Sequence, residues 1–371
     1  MSSVKLQWCL NKMSSMRLLD LGLVSPVRSQ TIYHAVAYAM TPTDADTIIL
    51  VSPTDPYVCI GCHQDIEKEV DLSYCKANGL QVVRREVGGG ATYLDSSQVF
   101  TQWIFHRGHL PSGIEERFAL HARPVVETYN ALDIPAYYRP VNDIQVDGKK
   151  IGGMGAARIG IAEVLVTSLM FDFDIESMTS VLKIPSEKMR DKVHQSLEQY
   201  MTTLTGELGH APDREMVKAL YVDRCRSALD REIVPGAVTE GEEMMARQLD
   251  ERFVSEDWLY QQSSSRQSSV KIHQDVAVVQ ADHKAPGGLI RITARLREER
   301  IDELSISGSF TLMPTSALFE LEQATYGLPA EHDLLLDAIH AVYTCSGIQS
   351  PGVTPEDFTQ AILAATKQDR A

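Results

Sequence analysis

The chain has 371 residues, of which 44% are hydrophobic and 23% are charged, and its net charge at pH 7 is −15. This length predicts two domains, and the composition is typical of a globular protein rather than a disordered one. The negative charge argues against a nucleic-acid-binding protein, and no apolar run approaches the ~20 residues needed to cross a bilayer. Any phosphate ligand must therefore meet a local cluster of positive groups.

The first residues, 1–16, contain two lysines and only a short apolar stretch, so we interpret them as an N-terminal arm rather than a secretory signal. Six cysteines without a framework of spacings are typical of a cytoplasmic protein, and we expect that location. Cys59 and Cys62 form a lone CxxC pair, which indicates a strand entering a turn rather than a metal site.

Helices and strands are interleaved along the first 260 residues. Alternating apolar positions predict strands at 48–51, 81–85, 99–105 and 164–171. Helical spacing predicts helices at 32–40, 114–131, 186–197, 212–231 and 239–253. Because this order is not a regular βαβ repeat, the pattern predicts an α+β fold rather than a doubly wound sheet.

A polar stretch divides the chain into two predicted domains. Residues 261–269 are almost all serine and glutamine, a composition typical of a linker, which we place at 259–269. The residues after it predict two antiparallel strands and three helices, at 290–296, 301–306, 314–322, 331–342 and from 355 onwards. The expected organisation is a first domain at 17–258 and a small α+β domain at 270–371.

A run of three glycines, Gly88–Gly90, follows Arg84 and Arg85 and precedes Ala91. Consecutive glycines cost backbone entropy, so they mark a place where side chains would obstruct a close approach. The run is either a plain hairpin turn with a bulge or a wall of bare backbone for a ligand chain or a phosphate. The two arginines favour an anionic ligand.

A second segment, residues 142–153, predicts a β-hairpin, because Asp147 and Gly148 lie between two short alternating runs. A two-residue turn there sets the pairs Val146–Lys149, Gln145–Lys150 and Asp143–Gly152. Asp143 and Lys150 would then lie diagonally on one face beside paired glycines, with Lys149 on the other face. The alternatives are a solvated hairpin with a weak ion pair, or another turn length that exchanges the two lysines.

These two segments resemble the signatures of the lipoate–protein ligase family, Arg-Arg-x-x-Gly-Gly-Gly-Ala-x-Tyr-x-Asp and Asn-Asp-Ile-x-x-x-Gly-Lys-Lys-Ile-x-Gly. Further resemblance lies at 57–64, 182–204, 284–288 and 307–310, so it covers nearly all of the chain beyond residue 16. The resemblance implies a biotin/lipoate ligase (class II synthetase-like) catalytic domain with a small α+β accessory domain. It also implies that lipoate and ATP form lipoyl-AMP, with pyrophosphate leaving with Mg²⁺, before the lipoyl group passes to a lysine of an acceptor.

By motif position, the resemblance assigns the catalytic role to Lys150, which would contact the carboxylate and α-phosphate oxygens in both steps. A fixed ammonium there would stabilise the charge that develops on the phosphoryl group. The residues implied to bind substrate or adenylate are Arg85, Gly88, Gly89, Gly90, Ala91, Asn142, Asp143, Gly152, Gly153 and Thr167. Asp143 would also bind Mg²⁺ and orient Lys150.

The chain departs from the family pattern at several positions where other side chains are usual, namely Cys62, Val87, Leu94, Met154, Gly155 and Leu165. One alternative is an octanoyl- or lipoyltransferase of the same fold, but this needs an activated thiol, and no cysteine lies between Cys75 and Cys225. A non-catalytic lipoyl-binding carrier is a second alternative, against which the intact Lys150 argues. A biotin–protein ligase is disfavoured because its glycine-rich loop normally carries several arginines.

The acceptor that the resemblance implies is a lipoyl-domain protein: GcvH-like, E2-type, or a lipoate-binding protein of sulfur oxidation, a branch that this sequence also resembles. Such domains are often acidic, as this chain is, so we expect docking through a local patch that includes Arg84, Arg139 and Arg158. We expect a monomer, with neither nucleic acid nor membrane as a partner.

Overall fold

The computed structural model describes residues 15–262 and 276–367, which form two compact units. The first unit contains residues up to 59, 71–83 and 92–254, and the second contains 60–70, 84–91 and the chain from 255 onwards. The predicted arm at 1–16 lies outside the described residues except for its last two, and the predicted linker lies outside them from residue 263. The domain limits therefore stay a prediction.

A six-stranded sheet forms the centre of the first unit. Its strands are β1 (Met16–Val24), β2 (Thr47–Pro53), β6 (Gln98–His106), β10 (Gly155–Ile159), β11 (Ala162–Met170) and β12 (Ile233–Pro235), in the order β10-β11-β6-β2-β1-β12. β1 runs parallel to β2 and β12, whereas the other neighbours are antiparallel. Every residue of β2 and β6 is buried, because both faces of the sheet are covered there.

Ten helices are described before residue 263. They are α1 (Pro26–Ala39), α2 (Ile66–Glu69), α3 (Leu72–Ala77), α4 (Ile114–Asn130), α5 (Ile175–Val181), α6 (Glu187–Tyr200), α7 (Leu204–Leu208), α8 (Arg214–Leu229), α9 (Glu240–Phe253) and α10 (Glu256–Leu259). α1 begins at Pro26, whose fixed φ suits a first helical turn, and Ser25 caps it by accepting from the Arg28 amide. α1 packs on α9, and the Arg28 guanidinium donates to Asp250. No helix among the described residues is long and apolar enough to cross a membrane.

Two small three-stranded sheets precede the C-terminal part of the chain. One has the order β4-β3-β5, with β3 (Tyr57–Ile60), β4 (Gln81–Arg84) and β5 (Thr92–Leu94). The other has the order β7-β8-β9, with β7 (Tyr137–Arg139), β8 (Asp143–Val146) and β9 (Lys149–Gly153). The second of these sheets contains the predicted hairpin.

The C-terminal part of the second unit is an antiparallel meander with three helices. These elements are β13 (Val276–Ala285), β14 (Gly288–Arg297), β15 (Arg300–Gly308), α11 (Ala317–Ala324), α12 (His332–Ser346) and α13 (Pro355–Lys367). Alternate residues of β14 are buried, and Ile290, Phe310 and Phe358 are fully buried in the core. The small α+β unit predicted after the polar stretch is present, and the α+β class predicted for the chain is confirmed.

Candidate functional site

The β8–β9 hairpin has the two-residue turn that the sequence predicted. Asp147 and Gly148 both have positive φ, +48° and +81°, as a type I′ turn requires. Gln145 pairs with Lys150 as predicted, but beyond this pair the register shifts by one residue. Asp143 pairs with Gly153, so the predicted pairing of Asp143 with Gly152 is wrong. The cause is a β-bulge, which places one extra residue in β9 and brings Gly153 to the face of Asp143 and Lys150.

Lys150 and Asp143 form an ion pair on this face, as the predicted diagonal arrangement required. The Lys150 Nζ lies 2.7 Å from the Asp143 Oδ1, and the two side chains are 28% and 17% exposed. The Tyr200 hydroxyl donates to the other carboxylate oxygen, Oδ2, at 2.9 Å. Both oxygens of Asp143 therefore have a partner. In contrast to Lys150, the neighbouring Lys149 is exposed to solvent.

Three predicted site residues fix the backbone that follows Lys150. The Thr167 hydroxyl on β11 donates to the Gly153 carbonyl at 2.9 Å, and the Asn142 amide donates to the Met154 carbonyl at 2.8 Å. A Cβ on Gly153 would lie 3.0 Å from both Cε and Nζ of Lys150. Glycine at position 153 thus leaves the ammonium its place, while Asn142 and Thr167 hold the strand in register.

The chain that ends α6 lies along β9 at Lys150. Met201 forms an isolated parallel bridge with Lys150, and the Thr202 amide donates to the Lys150 carbonyl at 2.9 Å. Tyr200, one residue earlier, supplies the hydroxyl that contacts Asp143. Residues 182–204 contain the helix predicted at 186–197 and resemble the family, but Tyr200 was not among the predicted site residues, because 57 residues separate it from Asp143.

The glycine run belongs to the second unit and joins β4 to β5. These strands lie on either side of β3, so the segment is not a hairpin turn between paired neighbours. A Cβ on Gly88 would lie 2.6 Å from the Phe310 carbonyl oxygen, and the Gly89 amide donates to that oxygen at 3.1 Å. A Cβ on Gly61 would lie 2.1 Å from the Gly89 oxygen. Close approach of backbone to backbone therefore explains the lack of side chains at Gly61 and Gly88.

Two arginines before the glycine run hold main-chain carbonyls of the same unit. The Arg85 guanidinium donates to the carbonyls of Gly88 and Gly90 at 3.0 and 2.9 Å, and so spans the loop. Arg84 is fully buried and donates to carbonyls of Gly61, Cys62, Gln64 and Leu259. The predicted place of Arg84 in a docking patch is wrong, because its side chain does not reach the surface. Arg139 is exposed, and Arg158 pairs with Glu163.

Most residues that depart from the family pattern are packed into the interior. Cys62, Val87, Met154 and Leu165 are buried, whereas Leu94 is half-buried, as is Ala91 at the end of the glycine run. Leu165 pairs with Trp103 in the central sheet. The side chains that replace the usual residues at these four positions therefore pack in the interior of the protein.

The described cysteines are poorly suited to nucleophilic chemistry, with one exposed exception at Cys345. Cys59, Cys62, Cys75 and Cys225 are buried. Burial raises the pKa of the Cys62 thiol to about 12 and that of the Cys75 thiol to about 11. Burial also raises the pKa of Cys225. A thiol is nucleophilic as the thiolate, so a raised pKa makes it inert near neutral pH.

The model of the family described as the lipoyl protein ligase A/B catalytic domain matches residues 29–226, which is more than half of the chain. The α+β fold described above belongs to the same class, that of enzymes that attach lipoyl-type acyl groups. This chain belongs to the lipoyl protein ligase A/B family.

Curated relatives include both ligases and transferases. Lipoate-protein ligase A subunit 1 of Thermoplasma acidophilum is 28% identical over 254 residues, covering 65% of this chain and 95% of the relative. The octanoyltransferase LipM of Kyrpidia tusciae is 25% identical over 272 residues, covering 67% and 99%. The lipoate-protein ligase LplJ of Bacillus subtilis is 24% identical over 323 residues, covering 85% and 90%. The chain therefore belongs to a family that contains both lipoate–protein ligases and octanoyltransferases.

Solved structures show the same fold. A bi-partite lipoate protein ligase from Thermoplasma acidophilum, described with its E2 lipoyl domain, is 27% identical with a TM-score of 0.61, covering 66% of this chain and 96% of that one. P. falciparum LipL1 in complex with lipoate is 13% identical with a TM-score of 0.66, covering 95% and 99%. At that identity the second likeness concerns the fold alone, and it extends over almost the whole chain. The expected catalytic domain with an additional C-terminal domain is confirmed.

Proposed function

We propose that this protein is an ATP-dependent lipoate–protein ligase, which forms lipoyl-AMP and then transfers the lipoyl group to a lysine of an acceptor lipoyl domain. The observation that carries the proposal is the Lys150–Asp143 pair, 2.7 Å apart and only partly exposed. A surface ion pair contributes about 0–1 kcal/mol to stability, and a partly buried pair also loses hydration, so fold stability alone gives little reason for this one. The hairpin holds both side chains on one face, and this fixed placement of an ammonium suits it to charge stabilisation.

Lys150 would act by charge stabilisation. In the first step a carboxylate oxygen of lipoate attacks the α-phosphorus of ATP and pyrophosphate leaves. In the second step the acceptor amine attacks the acyl carbon and AMP leaves. Both steps place negative charge on phosphate oxygens, and a positioned ammonium lowers the energy of that charge without having to reorganise. Asp143 would keep the ammonium in place, while Asn142, Gly153 and Thr167 hold the strand behind it.

Mg²⁺ would neutralise the phosphate groups of ATP when bound. Among residues 15–262 and 276–367, no group of three His, Cys, Asp or Glu side chains is placed to hold a metal by itself. Nucleotide-bound Mg²⁺ needs only one or two protein carboxylates, because phosphates and waters complete its coordination. Asp143 fits that requirement, since its partly exposed carboxylate lies beside the proposed catalytic lysine, and a bound Mg²⁺ would share its oxygens with Lys150 and Tyr200. The remaining predicted contacts, Arg85 and Gly88–Ala91 with the acyl group or phosphates, stay proposals from resemblance.

The cysteine distribution favours a ligase over an octanoyltransferase that works through a thioester. Such a transferase needs an activated thiol near the lysine. No cysteine occurs between Cys75 and Cys225, and burial raises the pKa of both thiols. The transferase remains the second candidate, because LipM proteins are among the relatives. The E2 lipoyl domain named with the Thermoplasma ligase supports a lipoyl domain as the acceptor here.

The test is adenylate formation without acceptor. We expect the purified protein to convert lipoate, ATP and Mg²⁺ to lipoyl-AMP and pyrophosphate, detected by mass spectrometry. Lys150→Ala should lower the rate by about 100-fold or more, the usual effect of removing one transition-state charge stabiliser. Lys149→Ala is the matched control, because that lysine is adjacent but exposed, and it should retain the rate. Octanoyl transfer from an octanoylated protein by a wild type that forms no adenylate would establish the transferase instead.

A further inference from the structure

We propose that Tyr200 is a positioning residue for Lys150, whose hydroxyl fixes the Asp143 carboxylate in the orientation that holds the ammonium. The inference rests on the proposed function for its catalytic consequence, and on the geometry of the first unit for the contact itself. Tyr200 would act through Asp143, without touching the reacting atoms.

The Tyr200 hydroxyl and the Lys150 ammonium contact different oxygens of the Asp143 carboxylate. Tyr200 donates to Asp143 Oδ2 at 2.9 Å, and Lys150 Nζ lies 2.7 Å from Oδ1. The terminal torsion of an aspartate is broad, so a carboxylate held by one oxygen can turn. A second hydrogen bond from the other side removes that freedom. Tyr200 thus fixes the plane of the Asp143 carboxylate, so that one of its oxygens stays directed at the ammonium.

The main chain places Tyr200 relative to the same lysine. Met201 bridges to Lys150, and the Thr202 amide donates to the Lys150 carbonyl. None of the residues of α6 is buried, so apolar packing contributes little to the position of its C-terminal tyrosine. Polar contacts with β8 and β9 determine the position of Tyr200 instead. The tyrosine and the lysine are therefore tied together through both side chain and backbone.

The Tyr200 hydroxyl is a phenolic donor, and its acceptor is a carboxylate oxygen of Asp143. A hydrogen bond from a neutral phenol to a carboxylate is charge-assisted and stronger than one between neutral groups. The contact can therefore hold Asp143 under the conditions in which a ligase works.

The first experiment measures lipoyl-AMP formation by Tyr200→Phe, which removes only the hydroxyl. We expect kcat to fall about tenfold, which corresponds to about 1.4 kcal/mol of lost transition-state stabilisation, and KM for lipoate to change less, because a loosely held Asp143 misplaces the Lys150 ammonium. Tyr137→Phe is the matched control. Tyr137 is an exposed tyrosine of the sheet that contains Asp143 and Lys150. Its hydroxyl donates to Gln145 at 3.1 Å and not to Asp143, and Gln145 also hydrogen-bonds Tyr200, so the control removes a neighbouring hydroxyl and leaves the contact with Asp143 in place. An unchanged kcat in Tyr200→Phe, or an equal loss in both variants, would overturn the inference.

A second experiment tests the contact without requiring any ligase activity. The nucleotide-free protein is labelled with an amine-reactive reagent, and Lys150 labelling is compared with Lys149 labelling by peptide mass spectrometry. We expect the ratio to rise in Tyr200→Phe, since a less firmly held Asp143 shields the Lys150 amine less, and to stay constant in Tyr137→Phe. An unchanged ratio in Tyr200→Phe contradicts the inference even if adenylate forms. A raised ratio in a protein that forms no adenylate refutes the proposed function but supports the contact.

Discussion

Adjacent glycines of β9 have different surroundings. A Cβ on Gly153 would meet the Lys150 Cε and Nζ at 3.0 Å, whereas a Cβ on Gly152 would meet Ile144 at an ordinary 3.6 Å. The bulge in β9 causes this difference, because it turns Gly152 toward Ile144 and Gly153 toward Lys150. The absence of a side chain at Gly153 therefore leaves room for the Lys150 ammonium.

We expect Gly153→Ala to lower the rate of lipoyl-AMP formation more than Gly152→Ala does. The new methyl group at position 153 must push the Lys150 ammonium aside by a few tenths of an ångström, and small misplacements of a catalytic group are costly. A loss on the order of tenfold is expected, with an unchanged melting temperature. Steady-state kinetics and thermal unfolding of both variants check this. The opposite ranking would indicate the unbulged register, with Asp143 opposite Gly152.

The central ion pair could be predicted from sequence, whereas its surroundings could not. Asp147-Gly148 specifies a two-residue turn through local backbone preference, and the turn places Asp143 and Lys150 on one face. The bulge depends on how Ile144 and Ile151 are both buried in the interior, which no local pattern encodes. Tyr200 lies in a different element, and residue spacing carries no information about such a contact.

At the scale of the elements, the requirement for glycine at position 148 in the β8–β9 turn comes from its backbone conformation and not from a steric clash. Gly148 has a φ of +81°, and a Cβ there would meet no atom within 4 Å. Gly241, in the first turn of α9, has equally open surroundings but an ordinary helical backbone. The two glycines thus separate the cost of a left-handed conformation from the cost of a steric clash.

Gly148→Ala and Gly241→Ala should change stability in opposite directions. Alanine at 148 must adopt the left-handed region, which costs about 1–2 kcal/mol. Alanine at 241 lowers the entropy of the unfolded chain and favours the helix, and should stabilise by up to about 1 kcal/mol. Urea unfolding midpoints of both variants measure this. A shift of both midpoints in the same direction would contradict the explanation.

Most long elements were predictable and the shortest strands were not. The exceptions are β1 and β13, which were missed although they have nine and ten residues, and the four-residue β4, which was predicted. The pattern predicted α4, α8, α9 and β6 with ends within a few residues, because each has several periods of apolar spacing. β5 and β7 have three residues each, which is too few to show alternation. The helix α1 begins six residues before its predicted start, although Ser25 and Pro26 are typical of a helix N-terminus.

For the whole molecule, the sequence predicted two domains but not the composition of the two units. A polar stretch indicated a boundary near 259–269, and the structure groups residues 60–70 and 84–91 with the chain that follows. Those segments contact residues more than 200 positions away, as in the bond from the Gly89 amide to the Phe310 carbonyl. Periodicity and composition describe neighbours in sequence and cannot reveal such grouping.

The second unit should lose stability as pH rises, because of Glu322. Its carboxyl group accepts from the Ile306 amide at 2.8 Å, and burial raises its pKa from 4.5 to about 7. A raised carboxyl pKa stabilises the fold fully below the unfolded pKa of 4.5, and this contribution is lost as pH rises through about 7. The loss should be on the order of 2 kcal/mol, less than the full shift implies, because the side chain is not completely buried.

Urea unfolding of the wild type at pH 5 and pH 8 measures this loss. Glu322→Gln keeps an oxygen acceptor for Ile306 but cannot ionise, so its stability should change less between the two pH values. Glu320→Gln, at an exposed position of the same helix, is the control and should behave as the wild type does. A wild type that is equally stable at both pH values would refute the prediction.

The contacts of the glycine run have a consequence for how this protein can diverge. Gly308 donates to the His63 carbonyl, Gly89 donates to the Phe310 carbonyl, and Gly88 leaves room for Thr311. A C-terminal segment exchanged between relatives would thus arrive without the loops at 60–70 and 84–91 that it fits. Substitutions in residues 60–70, 84–91 and 308–311 should therefore be correlated among relatives, because the three segments are distant in sequence but form one packing unit.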